Sequence, residues 1–355
     1  MNNDELTKKI NLDCALNVNN EPIRKLKSIL KLCDKSYLKE LYFNITDFES
    51  DDKKKVLIDA LYSKLSNKAV IQKFLDSLIK DEYDVLIKII ENNGCIQNDY
   101  IEFNFYHYLK AFGIVYTFNY QDKFYLVIPD EIMNELKDID ICSYSTNIDN
   151  NTNLFKLAYS MVNLYGAVPL NLLRDYYIKH YSVFNPNLNC LLSNAKPRKM
   201  KTIETEKNIY FVKDDDLGDL NEITLTNKTL LMLDDNIYDF DYKDIEIDNL
   251  LKYYNMFYYE DTDSVISFKK FLKGYNLNEG EIDSLVGGLI NSFRRDYSEG
   301  MHLLNNIFLE FNIEVNNSNI NEILLHLNNV VNDISSWGNK GWTNKEIALM
   351  NIIDV

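Results

Sequence analysis

The chain has 355 residues, and 46% of them are hydrophobic, so it can bury substantial cores and is not globally disordered. It carries 54 acidic residues against 38 Lys and Arg residues, a formal net charge of −16. This charge argues against a general nucleic-acid binder or a binder of anionic membranes, but it leaves room for a local basic patch and for basic protein partners. The length predicts two or three domains.

The five cysteines lie far apart and show no metal-ligand spacing with one another or with the four histidines. We therefore expect scattered reduced thiols in a cytoplasmic protein, with no metal and no cofactor. No apolar run is long enough to span a membrane, and the N-terminus is polar, so we expect no membrane partner.

Residues 1–80 are predicted to form an N-terminal helical domain. Apolar residues at helical spacing predict one helix that begins at Pro22 and a second that Asp34 caps. A polar loop then leads to three consecutive lysines at the start of a third helix, namely Lys53, Lys54 and Lys55. These lysines are candidate phosphate contacts, and the alternative is a solvated charge run at a helix start.

The third helix and the residues before it carry a resemblance to a known family. The segment from Tyr37-Leu38 through the loop to Lys53-Lys54-Lys55-Val56-Leu57-Ile58 resembles the small helical domain at the N-terminus of transcription terminator Rho, and the related SAP-type domains. Those domains often bind nucleic acid, so the resemblance implies that the three lysines contact phosphate. Residues 1–80 carry 15 basic and 12 acidic groups, which makes them the less acidic end of the chain.

Residues 81–138 are predicted to form a winged-helix-like domain, because they suggest the order helix, turn, helix, glycine, strand, turn, strand. Gly113 is placed to end the second helix, and Gln121-Asp122 is the predicted hairpin turn. The domain either places a helix in the DNA major groove or serves as a protein-contact module. Its 11 acidic residues against 4 lysines would repel phosphate, which favours protein contact.

Residues 139–153 are rich in Asn, Ser and Thr, and we predict a linker there. Residues 154–247 are predicted to form a second helix-turn-helix-like module with an acidic strand and loop region. In this module a helix that ends at Gly166 turns at Val168-Pro169-Leu170 into a second helix. The two modules would repeat a pattern and not a sequence.

A concentrated basic stretch lies between residues 174 and 201, where six basic residues accompany one acid. The candidate nucleic-acid contacts in this stretch are Arg174, Lys179, Lys196, Arg198, Lys199 and Lys201. They either form a phosphate-contacting surface or dock on the chain's own acidic region, because residues 202–263 hold 17 acidic and 5 basic groups. The paired aspartates of that region lack calcium-loop spacing and are interpreted as a solvated acidic face.

Residues 248–355 are predicted to form a C-terminal helical domain, since apolar residues recur there at helical spacing. The tail carries a distinctive pattern whose defined positions are Asn332, Trp337, Asn339, Gly341, Thr343 and Glu346. It resembles a segment of poorly characterised proteins from low-GC Gram-positive bacteria, in many of which a SEC-C zinc motif follows. No cysteine follows Cys190, so zinc does not carry over.

The tail residues also have a plain structural interpretation. Trp337 and Trp342 are predicted to anchor the tail on the helical bundle. Thr343 and Glu346 are predicted to form a capping box, with a last helix from Asn344.

The predicted fold class is mainly α with small β wings, in which winged-helix-like and helix-turn-helix-like modules precede a helical bundle. No catalytic motif is present, so no catalytic residue is nominated. The predicted function is binding, as a regulator or adaptor with a protein partner, and nucleic-acid binding and self-association stay open. The alternatives are an acidic DNA mimic that inhibits a nucleic-acid-binding protein, and an enzyme without a recognisable motif. In the protein-only version, the aromatics Tyr253, Tyr254 and Tyr258 would join an interface.

Overall fold

The computed structural model describes residues 18–99, 101–183, 186–193, 200–204, 209–213, 241–275, 277–310 and 319–353. The chain divides into two compact units. Unit 1 comprises Met1–Asn153 and Asn187–Arg198, and unit 2 comprises Leu154–Pro186 and Lys199–Val355. Most described residues are helical and two small sheets are described, which confirms a mainly α fold with small β elements.

Unit 1 is built from short helices around a four-stranded sheet. Its helices are α1 (Leu26–Leu32), α2 (Lys35–Thr46), α3 (Lys54–Leu65), α4 (Lys68–Leu75), α5 (Lys80–Glu91), α6 (His107–Ala111) and α7 (Asp130–Lys137). Its strands are β1 (Val18–Asn19), β2 (Cys95–Gln97), β3 (Tyr116–Tyr120) and β4 (Lys123–Val127). Short 3₁₀ helices cover Phe103–Phe105 and Ile141–Tyr144.

The sheet of unit 1 has the strand order β1-β3-β4-β2. Strands β3 and β4 form an antiparallel hairpin, β2 pairs antiparallel with β4, and β1 runs parallel to β3. The predicted hairpin turn at Gln121-Asp122 is confirmed. Both turn residues have positive φ angles, 52° and 58°, which is the two-residue geometry that matches the twist of a hairpin.

A single hydrophobic core runs through unit 1 from Val18 to Ile148. It joins buried residues of the first helices, such as Leu38 and Leu61, to buried sheet residues such as Phe118. The predicted division into separate domains 1–80 and 81–138 is therefore wrong. Short helices with one apolar face need a second layer to cover it, and here the sheet belongs to that layer.

The predicted linker at 139–153 is also wrong, because helix α8 (Ser145–Tyr165) begins inside it. The side-chain amide of Asn151 donates to the carbonyl oxygens of Asp76 and Leu78, at 2.8 and 3.2 Å. The Thr152 hydroxyl accepts from the backbone N–H of Lys80 at 2.8 Å. These polar side chains satisfy backbone groups at the end of α4 and the start of α5. Residues that are typical of a loop are therefore found here within a helix, where they bond neighbouring segments.

Unit 2 continues from α8, and the boundary between the units falls within that helix. The remaining helices are α9 (Leu170–Tyr181), α10 (Leu188–Ser193, in unit 1), α11 (Ile247–Leu250), α12 (Asp263–Leu272), α13 (Glu279–Arg295), α14 (Tyr297–Glu310), α15 (Ile320–Asp333) and α16 (Asn344–Ile353). The strands are β5 (Ala167–Pro169), β6 (Met200–Glu204) and β7 (Ile209–Lys213), and short 3₁₀ helices cover Leu251–Tyr254 and Lys273–Tyr275.

The sheet of unit 2 has the order β5-β7-β6, with both pairings antiparallel. Strand β5 lies where the sequence predicted a simple turn between two helices, so that prediction is corrected to helix, strand, helix. The apolar faces of α12 to α15 enclose a separate core. Residues 154–186 and 199–355 belong to the same unit, which corrects the boundary predicted at residue 248, and residues 187–198 belong to unit 1, which corrects the predicted domain 154–247. Most of the acidic loop, residues 214–240, lies outside the described residues.

Candidate nucleic-acid interface

Two contacting helices of unit 1, α1 and α3, gather lysines on one surface. Their apolar residues recur at intervals of three and four, and the buried ones are Leu26, Ile29 and Leu30 in α1 and Leu57, Ile58, Leu61 and Leu65 in α3. Burial of these faces turns the polar faces outward. We define the lysine face as the residues Lys27, Lys31, Lys53, Lys54 and Lys55.

Contacts between the two helices hold this surface together. The Lys54 ammonium donates to the carbonyl oxygen of Lys31, at the end of α1, at 2.9 Å. The Lys27 ammonium lies 2.7 Å from an Asp59 carboxylate oxygen, and 5.6 Å from the centre of the Tyr62 ring. Lys54 thus bonds a carbonyl at a helix C-terminus, where cations are favoured.

The acid on α3 is surrounded by lysines. The hydrogen bond from Lys27 is the largest cause that holds the pKa of Asp59 below its ordinary value, and the charges of Lys55 and Lys31 act in the same direction. In the preceding loop, Asp51 is paired with Lys39, and the hydrogen bond from Lys39 is the largest cause that lowers the pKa of Asp51. Because Asp59 stays ionised and pairs with Lys27, the net positive charge of the lysine face comes from its other four lysines.

The structure brings the predicted residues Lys54 and Lys55 close to Lys27 and Lys31, which the sequence analysis did not nominate, and Lys53 directly precedes them at the start of α3. Lys53 and Lys55 are exposed, and Lys54 is half-buried. The i, i+4 spacing of the two lysines in α1 was visible in the sequence. What could not be read there is that α1 packs beside α3.

The predicted basic stretch at 174–201 is only partly described. Arg174 lies 3.1 Å from the Asp175 carboxylate, and Lys179 lies 3.3 Å from that of Asp244. Lys201 is half-buried on β6 and has an interaction partner. Lys196, Arg198 and Lys199 lie outside the described residues. Of the two interpretations left open, docking on the chain's own acids holds for Lys179, because Asp244 belongs to the acidic region.

The tail tryptophans, Trp337 and Trp342, contact other parts of unit 2 through their ring nitrogens as well as their ring faces. The Trp337 ring N–H donates to the carbonyl of Asn163 at 3.0 Å, and that of Trp342 donates to the carbonyl of Asp241 at 2.9 Å. Lys243 lies 5.5 Å above the Trp342 ring. These contacts are those of packing anchors with satisfied polar atoms.

The predicted capping box at the start of α16 is confirmed. The backbone N–H of Thr343 donates to the Glu346 carboxylate at 2.9 Å, and the N–H of Glu346 donates to the Thr343 hydroxyl at 3.1 Å. Lys243 also bonds the Glu346 carboxylate at 2.6 Å. Burial alone would raise the pKa of Glu346, but the hydrogen bonds from Lys243 and Thr343 outweigh it and leave that pKa lowered.

A buried arginine near the end of α13 supports the tail. Arg294 is 1% exposed, donates to the carbonyl of Tyr258 at 3.2 Å and to the hydroxyl of Ser335 at 3.1 Å, and lies 4.9 Å from the Tyr253 ring centre. Burial lowers its pKa. Its carbonyl accepts the backbone N–H of Trp337 at 2.9 Å. Arg294 thus joins the tail residues Ser335 and Trp337 to the segment that holds Tyr258.

Tyr253 is itself 1% exposed, so its predicted place in an exposed interface is wrong. The phenol donates to the Glu260 carboxylate, so the buried hydroxyl has a hydrogen-bond partner. Tyr254 and Tyr258 are half-buried.

Among the residues that the structure describes, no group of three or more His, Cys, Asp and Glu side chains is arranged to hold a metal ion. Within the same residues, no helix has both the length and the apolar character that crossing a bilayer requires. No family model, curated protein or solved structure matches this chain.

Proposed function

We propose that this chain is a binding protein, a regulator or adaptor, that contacts a nucleic-acid backbone through the lysine face of unit 1. The observation that carries the proposal is the concentration of cations on α1 and α3 of a chain whose net charge is −16. Phosphate contacts supply most of the affinity for nucleic acid and need clustered Lys or Arg. The helix, loop, helix order of α2 and α3 is also the order on which the resemblance to Rho-type domains depends.

The winged-helix-like modules act in this proposal as a scaffold and as protein-contact surfaces. The order α5, β2, α6, β3, β4 supports a winged-helix-like assignment for unit 1. In such domains the helix before the hairpin enters the major groove. Here that helix, α6, has only five residues, and the segment around it is acidic. A protein partner and self-association stay predictions for these surfaces.

The test is fluorescence anisotropy with labelled duplex DNA and duplex RNA at about 50 mM salt. We expect binding whose affinity falls with a log–log salt slope of roughly −3, because the exposed Lys31, Lys53 and Lys55 can each displace a counterion, whereas Lys27 is paired with Asp59 and Lys54 is half-buried. The double variant Lys31→Glu/Lys55→Glu should weaken binding by at least about tenfold and reduce the slope by about 2. Both side chains are exposed, so the fold should tolerate the change.

The matched control is Lys252→Glu/Lys270→Glu, which changes net charge equally at exposed lysines of unit 2. An equal loss in both double variants would mean that only net charge matters, and would overturn the assignment to the lysine face. No binding of either duplex at low salt would overturn the nucleic-acid proposal itself. Recognition of a basic protein, including DNA mimicry by the acidic surface, would then be the function to test.

A further inference from the structure

Unit 1 contains a cavity of about 400 Å³. Its apolar lining consists of Ile45, Leu65, Val70, Phe74, Phe112 and Ile114. The rings of Phe74 and Phe112 lie 5.9 Å apart and share Tyr108 as an aromatic neighbour, at 5.6 and 4.7 Å. A cavity of this volume with an aromatic wall is typical of sites for small organic molecules.

The rim of the cavity is polar and carries opposing charges. Asp47 ends α2 in the left-handed conformation with φ of 60°, and Asp76 ends α4. Both side chains are exposed, and the Asp76 carboxylate accepts the Asn147 amide at 3.3 Å. Lys73 is the basic residue among the lining residues, so the two carboxylates leave the rim net negative.

The other side of the cavity comes from a distant part of the chain. Asn187, Asn189 and Cys190, at the start of α10, complete the lining. This helix has six residues, and the side chain of Asn187 accepts the backbone N–H of Cys190 at 3.2 Å. A helix this short is not stable by itself, so its position depends on what it packs against. A molecule in the cavity would contact α10 and the helices of the floor together.

We propose that this cavity binds a small amphipathic amine, which goes beyond the recognition of macromolecules proposed above. The apolar body lies against Phe74 and Phe112, and the cationic nitrogen lies at the rim beside Asp47 and Asp76. Carboxylates attract the ammonium group, and the faces of aromatic rings favour cations as well. A carboxylic acid of the same size would face two like charges.

The probes are three environment-sensitive dansyl compounds that differ in charge: dansylcadaverine with a primary amine, neutral dansylamide, and dansylglycine with a carboxylate. Fluorescence titration of the full chain should show saturable binding of dansylcadaverine, at least about fivefold tighter than that of dansylglycine. Asp47→Asn/Asp76→Asn should remove this preference and leave dansylamide unchanged. Equal affinity for all three probes in the wild type would overturn the amine assignment.

A second pair of variants tests the location. Val70→Trp fills the cavity from α4 and should abolish binding of all three probes. Ala69→Trp adds the same side chain at the neighbouring exposed position, outside the lining, and should leave binding unchanged. Unaltered binding in Val70→Trp would overturn the site. If that variant fails to fold by circular dichroism, Lys73→Gln replaces it, and unchanged dansylcadaverine affinity where an increase is expected would overturn the site.

Discussion

Units 1 and 2 share a local strand topology, but different side chains pack against the glycine at its first turn. In each, a glycine with positive φ follows a helix and directly precedes a three-residue strand, and an antiparallel pair of strands comes later in the chain, after α6 in unit 1 and after α9 and α10 in the second case. In each, the three-residue strand pairs antiparallel with the last of those strands: β2 with β4, and β5 with β7. The repeat is therefore one of chain path and pairing, since the sequences differ.

The difference lies in what packs against the two glycines. A Cβ atom on Gly94 would lie 2.6 Å from the guanidinium end of Arg24 and 3.0 Å from the Cγ atom of Met133, both on long unbranched side chains. A Cβ atom on Gly166 would lie 2.5 Å from the ring of Trp337. Moving that ring aside would break the hydrogen bond from its N–H to the carbonyl of Asn163, and the backbone N–H of Trp337 is bonded to the carbonyl of Arg294. The turn at Gly94 thus packs against long side chains of unit 1, whereas the turn at Gly166 packs against the ring of the tail residue Trp337.

The largest expected effect comes from alanine at the two glycines. Gly166→Ala should lower the free energy of unfolding by about 3 kcal/mol, because a left-handed alanine and a clash with a fixed ring add together. Gly94→Ala should lower it by about 1 kcal/mol, mainly through the left-handed conformation. Urea unfolding followed by circular dichroism measures both values. Trp337 and Trp342 are the two tryptophans of the chain, so their fluorescence reports on unit 2.

Gly274→Ala is the control for this pair, since a Cβ atom there has no neighbour within 4 Å. Its free energy of unfolding should stay within about 0.5 kcal/mol of the wild type. A larger loss of unfolding free energy in Gly94→Ala than in Gly166→Ala would show that the contact with Trp337 does not make the Gly166 turn more sensitive to substitution.

A smaller effect is expected from acid titration of the tail contact. The folded-state pKa of Glu346 is lowered, so its contribution to stability is present above the ordinary carboxyl pKa and is lost as pH falls through the folded-state value. Glu346→Gln should destabilise unit 2 at pH 7 by less than about 1 kcal/mol, because the carboxylate is partly exposed. The difference from wild type should shrink between about pH 5 and 3.

Tryptophan fluorescence during urea unfolding at pH 7 and pH 3 measures this difference. Asp84→Asn in the exposed Lys80–Asp84 pair of unit 1 is the control, and should change stability less at both pH values. A Glu346→Gln difference that is the same at both pH values would contradict the charge-based explanation.

The smallest effect is expected at the hairpin turn of unit 1. Gln121→Asn together with Asp122→Gly should stabilise the protein by about 0.5–1 kcal/mol, because Asn and Gly adopt positive φ at lower cost. Gln121→Val, a β-branched residue at the same angle, should destabilise it. Thermal unfolding by circular dichroism measures both variants. Equal stability of the two would show that the turn is not strained.

Local patterns in the sequence predicted local structure well. Apolar spacing marked α1 and α3, the Gln121-Asp122 turn joined two strands, and the Thr343–Glu346 capping box began the last helix. Domain boundaries failed for a physical reason. Composition suggested a linker at 139–153, but the Asn151 and Thr152 side chains bond backbone groups of α4 and α5. Such partners lie far away in the chain and leave no local signal.

The candidate site follows the same division. The sequence alone determined which residues are cationic, that Lys53, Lys54 and Lys55 open a helix, and that the chain as a whole is strongly acidic. Tertiary structure decided that Lys27 and Lys31 lie on the same surface, that Lys179 pairs with Asp244, and that Gly166 accommodates Trp337. Spacing along a helix fixes a face, because the backbone geometry is regular. What that face meets depends on packing between segments that are distant in the chain.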